Sequence, residues 1–278
     1  MKLITLIFTL ILGLQISAQE STEAFCNCDT DVSKIDLIPL PHIREADVMW
    51  STTIWRDLDL RQKINQPYYY PLKESNGYMS LFDVMTKAAL DGCLIAYRPT
   101  AMSSSGEFSS PMTCQQIENL LTPNDSVWTY DLKTEQDILV PSDERIEPDQ
   151  IFRYRIKEQW IFDKQHSRMT ARTIGIAPLI EIRGEDGSFR GFQELFWIDY
   201  PESRKVLAQH PVFLRHNDNK ALNYDDLFAK RYYDSFLVKE SNVFNRNIRE
   251  YAQGIDGLLE GERIEEKIRN MESDFWAY

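Results

Sequence analysis

The sequence predicts an α+β protein in which an antiparallel β meander is flanked by N-terminal and C-terminal helices. Three observations support this fold class. Apolar and polar residues alternate from Phe152 to Asp163, which is typical of a strand with one buried face. Apolar residues at helical spacing occur before and after this region. The turn at Asp186-Gly187 indicates that further strands follow the first one.

The first 18 residues have the pattern of a secretory signal peptide. Lys2 provides a positive charge, residues 3–14 are apolar, and Ile16-Ser17-Ala18 is similar to a cleavage site. About twelve apolar residues are fewer than the roughly twenty that a transmembrane helix needs. Because this stretch is too short to span a membrane, we predict an exported protein without a membrane span. An uncleaved membrane anchor is the alternative.

The chain is acidic, which argues against two classes of partner. Its formal net charge is −12, and this charge repels nucleic acid phosphates and anionic lipid headgroups. We therefore expect no nucleic acid partner and no membrane partner, unless a local basic patch binds one of them.

An extended N-terminal arm is predicted for residues 19–44, because Pro39 and Pro41 oppose helix formation. Residues 45–278 are predicted to form a single α+β domain. Within this domain we expect residues 45–98 to be helical, 99–150 loop-rich, 151–200 to form the sheet, and 221–278 to be helical.

The first helix is predicted over residues 45–65, since Trp50, Ile54 and Leu58 recur every four residues. A second helix is expected to begin at Ser80 and to end near Gly92. Short strands are expected at residues 94–97, 127–132 and 138–140.

The sheet is predicted to continue from the strand that ends at Asp163 into a strand at residues 169–177. Pro178 is expected to break that strand or to lie at an edge. Residues 192–200 return with apolar side chains on both faces, as in a central strand.

The end of the chain is predicted to contain two helices. The first is capped by Asn223 and carries Leu227, Phe228, Tyr232 and Phe236; the second carries Ile248, Tyr251, Ile255 and Leu258. Gly254, Gly257 and Gly261 would lie on one side of the second helix. They would either allow another helix to approach closely or mark a weak helix, because glycine costs about 1 kcal/mol relative to alanine.

Four cysteines in an exported chain allow two disulfide bonds and three connectivities. Cys26 and Cys28 are too close in sequence to bridge each other comfortably. A bond between Cys93 and Cys114 would stabilise the fold by about 3 kcal/mol in the chain-entropy model. Free thiols are one alternative. A metal site that uses the Cys26–Cys28 pair is the other, although the histidines show no matching spacing.

No motif in the sequence indicates catalysis, a cofactor or a metal centre. Glu158 and Glu194 are acidic residues within apolar strands. Two carboxylates on neighbouring strands could act as an acid–base pair, as in a hydrolase. The simpler interpretation is that Glu158 pairs with a nearby arginine or lies at a sheet edge. We therefore predict a protein that is not an enzyme, with an exported carboxylate hydrolase as an alternative.

The aromatic content of 12% favours a partner surface, since aromatic residues and arginine are enriched in interface cores. A core position is an equally good interpretation for any one tryptophan. Residues 68–70 could instead bind a sugar or peptide in a stand-alone ligand-binding module. The interface candidates are Trp50, Trp55, Tyr68, Tyr69, Tyr70, Trp160 and Trp197.

Several long blocks carry a resemblance to a known family. They include Trp55-Arg-Asp-Leu-Asp-Leu-Arg-Gln-Lys-Ile-Asn-Gln-Pro-Tyr, Tyr154-Arg-Ile-Lys-Glu-Gln-Trp-Ile-Phe-Asp-Lys-Gln, Leu195-Phe-Trp-Ile-Asp-Tyr-Pro-Glu-Ser-Arg and Lys239-Glu-Ser-Asn-Val-Phe-Asn-Arg. In this order the blocks resemble the GldN family of gliding-motility proteins, also called PorN. The resemblance covers about residues 45–278.

This resemblance implies a structural component of the type IX secretion system of Bacteroidetes-like bacteria. Members of the family form a ring with a GldK/PorK-type outer-membrane lipoprotein, and a GldM/PorM-type periplasmic shaft protein engages that ring. The implied location is the periplasm, at the inner face of the outer membrane. The family has no catalytic residues to carry over to this chain.

Overall fold

A seven-stranded antiparallel sheet is the central element of the computed structural model. The structure describes residues 37–99, 108–122, 125–131, 136–142, 145–184, 186–213 and 222–276. The predicted signal peptide, Cys26 and Cys28 lie outside the described residues. The prediction of an α+β fold with a large antiparallel sheet and helices at both ends is confirmed.

Eleven strands occur in the described part of the chain. They are β1 (Val48–Asp59), β2 (Ala96–Tyr97), β3 (Asp125–Asp131), β4 (Gln136–Ser142), β5 (Ile151–Asp163), β6 (Arg168–Arg183), β7 (Phe189–Glu194), β8 (Trp197–Asp199), β9 (Pro211–Val212), β10 (Leu222–Asn223) and β11 (Phe236–Glu240). The large sheet has the order β11-β1-β5-β6-β8-β2, and β7 also pairs with β6. β3 with β4, and β9 with β10, form separate two-stranded ribbons.

Six α-helices accompany the strands in the same described ranges. They are α1 (Gln66–Tyr69), α2 (Leu81–Leu90), α3 (Cys114–Leu121), α4 (Tyr200–Gln209), α5 (Tyr224–Ala229) and α6 (Ile255–Trp276). The predicted second helix is confirmed as α2. Its Ser80 side chain accepts a hydrogen bond from Asp83 N, and Gly92 follows its end with a φ of +70°. α3 and α4 were not predicted.

The prediction of a helix at residues 45–65 is wrong, because most of this segment is strand β1. Trp50, Ile54 and Leu58 are four residues apart, and four is also a multiple of the strand period of two. The segment is rich in β-branched and aromatic residues, which favour a strand. β1 pairs with β5 along its length, with Leu58 opposite Tyr154. This long-range pairing decides in favour of the strand.

The period of two in β5 is confirmed. Tyr154, Ile156 and Glu158 are buried, and they alternate with the more exposed Arg155 and Lys157. The side of the sheet that carries Tyr154, Ile156 and Glu158 is called the core face below. Glu158 is therefore a carboxylate on an otherwise apolar face, as the sequence predicted.

β6 runs without interruption through Pro178, so of the two expectations for this proline the strand break is wrong. Pro178 lies opposite Tyr154, and its carbonyl accepts a hydrogen bond from Leu195 N at 3.0 Å. Leu195 lies in the gap between β7 and β8. A strand residue points its N and O to the same side. The missing N–H of Pro178 therefore faces a gap, where no strand partner is lost.

Residues 192–200 do not form one central strand. β7 ends at Glu194, β8 begins at Trp197, and helix α4 begins at Tyr200. The Asp199 side chain accepts a hydrogen bond from Glu202 N and caps α4, and Pro201 occupies its first turn. These capping residues were the sequence signal for α4.

The main core lies on the core face of the sheet, under helices α1 to α5. Leu58, Tyr154 and Ile156 are its strand residues. The helices contribute Leu81 and Met85 of α2, Ile117 of α3, Leu207 of α4 and Phe228 of α5.

A second, smaller cluster lies under α6 and is called the C-terminal core cluster. It consists of Ile54, Leu237, Ile248, Ile264 and Ile268. Trp50 and Trp160 pack against it while remaining partly exposed. The C-terminal helix is therefore held by a different set of residues from those of the main core.

The predicted arrangement of the last helices is wrong in two respects. α5 ends at Ala229, and Phe236 belongs to β11, which pairs with β1. Ile248 lies in a separate 3-10 turn, and Gly254 has a φ of +59° before α6 begins. As a result, Ile255 and Leu258 are exposed rather than buried.

Gly261 allows close contact between α6 and the sheet. A Cβ atom at this position would lie 3.2 Å from the carbonyl oxygen of Leu237 on β11. The predicted close approach is therefore made to a strand, whereas the sequence suggested another helix. Gly261 lies within an unbroken helix.

Cys93 and Cys114 both belong to disulfide bonds, and no described cysteine is free. Cys93 follows α2, and Cys114 is the first residue of α3. The pairing of the four cysteines stays a prediction.

We predict that Gly261→Val lowers the free energy of unfolding by about 1–3 kcal/mol, because the added methyl groups force α6 away from Leu237. Chemical denaturation monitored by circular dichroism measures this change. Glu266→Val is the matched control, since Glu266 is exposed on the same helix. It should change stability by less than about 0.5 kcal/mol beyond the helix-propensity difference. Equal losses in both variants would contradict the assigned contact.

Candidate protein-interaction surface

Glu158 is the most buried carboxylate of the core face, with 1% of its surface exposed. It accepts hydrogen bonds from Arg231 Nη2 at 3.0 Å, Tyr233 Oη at 2.5 Å and Trp160 Nε1 at 3.1 Å. Arg56 Nε lies 3.6 Å from the same carboxylate. We call these five residues the Glu158 cluster.

The Glu158 cluster connects to the C-terminal helix through Arg56. Arg56 Nη1 donates a hydrogen bond to Glu265 on α6 at 2.8 Å and is also close to Ser235 Oγ, at 3.4 Å. Burial, and next the negative charge of Glu158, raise the pKa of Tyr233 well above its usual range. Tyr233 is therefore a neutral phenol that donates a hydrogen bond to Glu158. The cluster has a structural role that explains the acidic residue in this strand.

Glu194 lies in a second polar network on the opposite face. It accepts hydrogen bonds from Arg155 Nη1 and Trp197 Nε1, both at 2.7 Å. Arg155 also donates to both carboxylate oxygens of Asp57, at 2.7 and 2.9 Å. Arg155 and Glu158 are three residues apart on one strand and therefore point to opposite faces.

The structure consequently does not bring Glu158 and Glu194 together as an acid–base pair. Each carboxylate is already occupied by an arginine and an indole N–H. The simpler interpretation of Glu158, that it pairs with an arginine, is the one that the geometry supports. Among the described residues, no group of three His, Cys, Asp or Glu side chains is placed to bind a metal ion.

Two interface candidates are core residues, so their selection as surface residues was wrong. Tyr68 and Trp197 have no exposed surface. Tyr68 packs against Phe228 with ring centroids 5.2 Å apart, and Trp197 contacts Phe108 at 6.3 Å. Each of them fills volume in the interior.

The other five candidates retain some exposed surface. Trp50 and Trp160 are half-buried beside the C-terminal core cluster. Trp55 is half-buried beneath the ammonium groups of Lys239 and Lys157, which lie 4.4 and 5.1 Å from its ring. Tyr69 stacks on Phe152, and Tyr70 is half-exposed. These residues are scattered over the molecule, and the sequence did not identify a further group of exposed apolar side chains.

That group lies between β11 and the first turns of α6, and we call it the C-terminal apolar surface. Its side chains are between 49% and 97% exposed. They are Val243, Phe244, Tyr251, Ile255, Leu258 and Leu259. Ile255 and Leu259 are four residues apart and lie on one side of α6.

A single arginine lies beside two of the aromatic side chains of this surface. The Arg246 guanidinium lies 4.5 Å from the Phe244 ring and 6.0 Å from the Tyr251 ring. A shallow cavity of about 240 Å³ is formed by these three residues together with Glu240 and Asn242. Aromatic residues beside arginine are the composition found at the centres of protein interfaces.

Residues 43–277 match the protein family described as Gliding motility associated protein GldN. The chain belongs to the GldN family. No curated protein matches it. Membership makes the chain a component of the gliding motility and type IX secretion machinery, and the GldN family is a structural one. Within the described residues, no helix has the length and apolar character needed to cross a membrane.

The blocks that resemble the GldN family fall on neighbouring parts of the fold. Residues 55–59 lie in β1 and residues 154–163 in β5, while residues 197–204 span β8 and the start of α4. Residues 239–240 end β11, and residues 241–246 lead into the C-terminal apolar surface. The resemblance to GldN proteins is therefore concentrated in the sheet and extends into an exposed segment.

We predict that Glu158→Gln lowers the free energy of unfolding by about 3–5 kcal/mol, because it leaves buried Arg56 and the adjacent Arg231 without their carboxylate. Urea titration at neutral pH measures the loss. Glu118→Gln is the control, since Glu118 is exposed on α3 and its variant should differ by less than about 0.5 kcal/mol. A Glu158→Gln protein as stable as the control would show that the cluster contributes nothing to folding.

Proposed function

We propose that this chain is a non-enzymatic subunit of a periplasmic ring in the type IX secretion and gliding machinery. The observation that carries the proposal is the GldN family match over residues 43–277. In this proposal the ring contains several copies of the chain and a GldK/PorK-type outer-membrane lipoprotein. A GldM/PorM-type shaft protein engages the ring from the side of the inner membrane.

A periplasmic location at the inner face of the outer membrane agrees with the cysteine chemistry. Cys93 and Cys114 are in disulfide bonds, which persist in oxidising compartments outside the cytoplasm. The secretory pattern of residues 1–18 supports the same location. Attachment to the outer membrane would come from the lipoprotein partner.

The C-terminal apolar surface is the best candidate for a subunit contact in this ring. Monomeric proteins rarely expose large contiguous apolar patches without a function. A closed ring requires two different surfaces of each subunit to meet head to tail. We propose that Phe244 and Leu259 form part of one of these two surfaces.

The alternatives receive less support from the structure. A ligand-binding module built on residues 68–70 would need three accessible tyrosines, but Tyr68 is fully buried. A carboxylate hydrolase would need Glu158 and Glu194 on one face of the sheet. Neither geometry is present among the described residues.

The proposal is tested by affinity purification of the tagged protein from detergent-solubilised envelopes of secreting cells, followed by mass measurement and protein identification. We expect a megadalton particle that contains an outer-membrane lipoprotein. A lone species near the 32.6 kDa of the full chain would contradict the assembly.

We predict that Phe244→Gln combined with Leu259→Gln shifts the purified protein from the large particle to small species, because it removes apolar contact area from a subunit interface. The fraction in the large particle, measured by sedimentation, should fall at least fivefold. Phe189→Gln is the matched control, since Phe189 is an exposed aromatic residue on β7. Its particle should be unchanged. Normal assembly of the double variant would exclude this surface from the subunit contact, and the circular dichroism of each variant checks its fold.

A further inference from the structure

A cavity of about 310 Å³ lies between α6 and the core face of the sheet. Its lining combines basic and apolar side chains. The lining residues are Ile54, Arg56, Trp160, Arg231, Glu265, Ile268 and Arg269. The cavity is next to the Glu158 cluster and is separate from the C-terminal apolar surface.

Positive charge predominates in this cavity. Its lining has three arginines and one carboxylate, Glu265, with Glu158 directly behind it. Arg269 is exposed and forms no ion pair with any residue in the described ranges. A pocket with more positive than negative groups attracts anions locally, although the whole chain has a formal charge of −12.

Arg56 lines this cavity, but its Nε atom is buried on the side of Glu158. The residue is only 8% exposed, and its Nε has no hydrogen-bond partner. The carboxylate of Glu158 lies 3.6 Å away, beyond hydrogen-bond distance. Because this Nε is not exposed to the cavity, the guanidinium donors available there are those of Arg231 and Arg269.

The backbone of Arg231 has a strained conformation. Its φ is +52°, in the left-handed region that non-glycine residues seldom occupy. The guanidinium is fixed by Glu158 on one side and stacks on the Trp160 ring at 4.9 Å. Strained residues that are held by several contacts occur often at binding sites.

We propose that this cavity binds a carboxylate group carried on a short apolar stem. The guanidinium groups of Arg231 and Arg269, which line the cavity, match the planar carboxylate. Ile54, Ile268 and the Trp160 ring contact the stem. A glutamate side chain of another protein and a small organic acid share this chemistry.

The first test compares butanoate with butanamide, which has the same shape without the charge. Each is titrated into the purified mature chain while the Arg56 Nε–H and Trp160 Nε1–H signals are followed by NMR. We expect saturable shifts with butanoate, with a dissociation constant of about 1 mM. Butanamide should give no saturable shift. Equal saturable shifts with the two compounds would overturn the proposal.

A second titration distinguishes the two sources of the carboxylate. It uses a capped six-residue peptide with one central glutamate, and its glutamine counterpart as the control. Binding of the glutamate peptide but not of butanoate assigns the site to a protein ligand, and the reverse assigns it to a small acid. Absence of saturable shifts with both acids would refute the site.

Arg269→Gln and Arg263→Gln form the matched pair of variants. Both residues are exposed on α6, but Arg263 pairs with Glu260 and does not line the cavity. Arg269→Gln should weaken binding of the carboxylate probe at least fivefold, while Arg263→Gln should change it less than twofold. Unchanged binding by Arg269→Gln would contradict the proposal. The isolated chain is used throughout, so the result is independent of ring assembly.

Discussion

The burial of Glu158 on the core face is the constraint on which the C-terminal half of the fold depends. An ionised carboxylate at this depth is stable only with charged and hydrogen-bonding partners around it. Those partners come from β1, from β5 and from the segment after α5. One charge therefore fixes the relative positions of segments more than 170 residues apart in sequence.

The same cluster determines how the C-terminal helix meets the sheet. Arg56 bridges Glu158 and Glu265 of α6, and Gly261 brings the helix against β11. Because the C-terminal core cluster has few members, apolar burial contributes less here than in the main core. The polar contacts therefore have a large share in orienting α6, and with it the exposed residues of its first turns.

The sequence predicts an element correctly where a local signal is decisive. The alternation in β5 and the Ser80 cap of α2 are such signals. β1 was misassigned because a spacing of four residues fits a helix and a strand equally well, and only pairing with β5 distinguishes them. Phe236 was placed in a helix for the same reason, since its strand exists only by pairing with β1. Pairing between strands that are distant in sequence cannot be predicted from a short stretch of residues.

The C-terminal apolar surface was not predicted because the positions of the apolar residues alone do not show which side of α6 faces the sheet. Apolar residues occur on several sides of this helix, and the side that faces the sheet is selected by Gly261, Ile264, Glu265 and Ile268, which are spaced three and four residues apart. Two of these four residues that face the sheet, the glycine and the glutamate, are not apolar side chains. Once they are assigned inward, Leu259 must point to solvent. The apolar residues left outside then form the exposed side of the helix. The buried charge on the sheet and the surface that we propose for assembly are therefore parts of one arrangement.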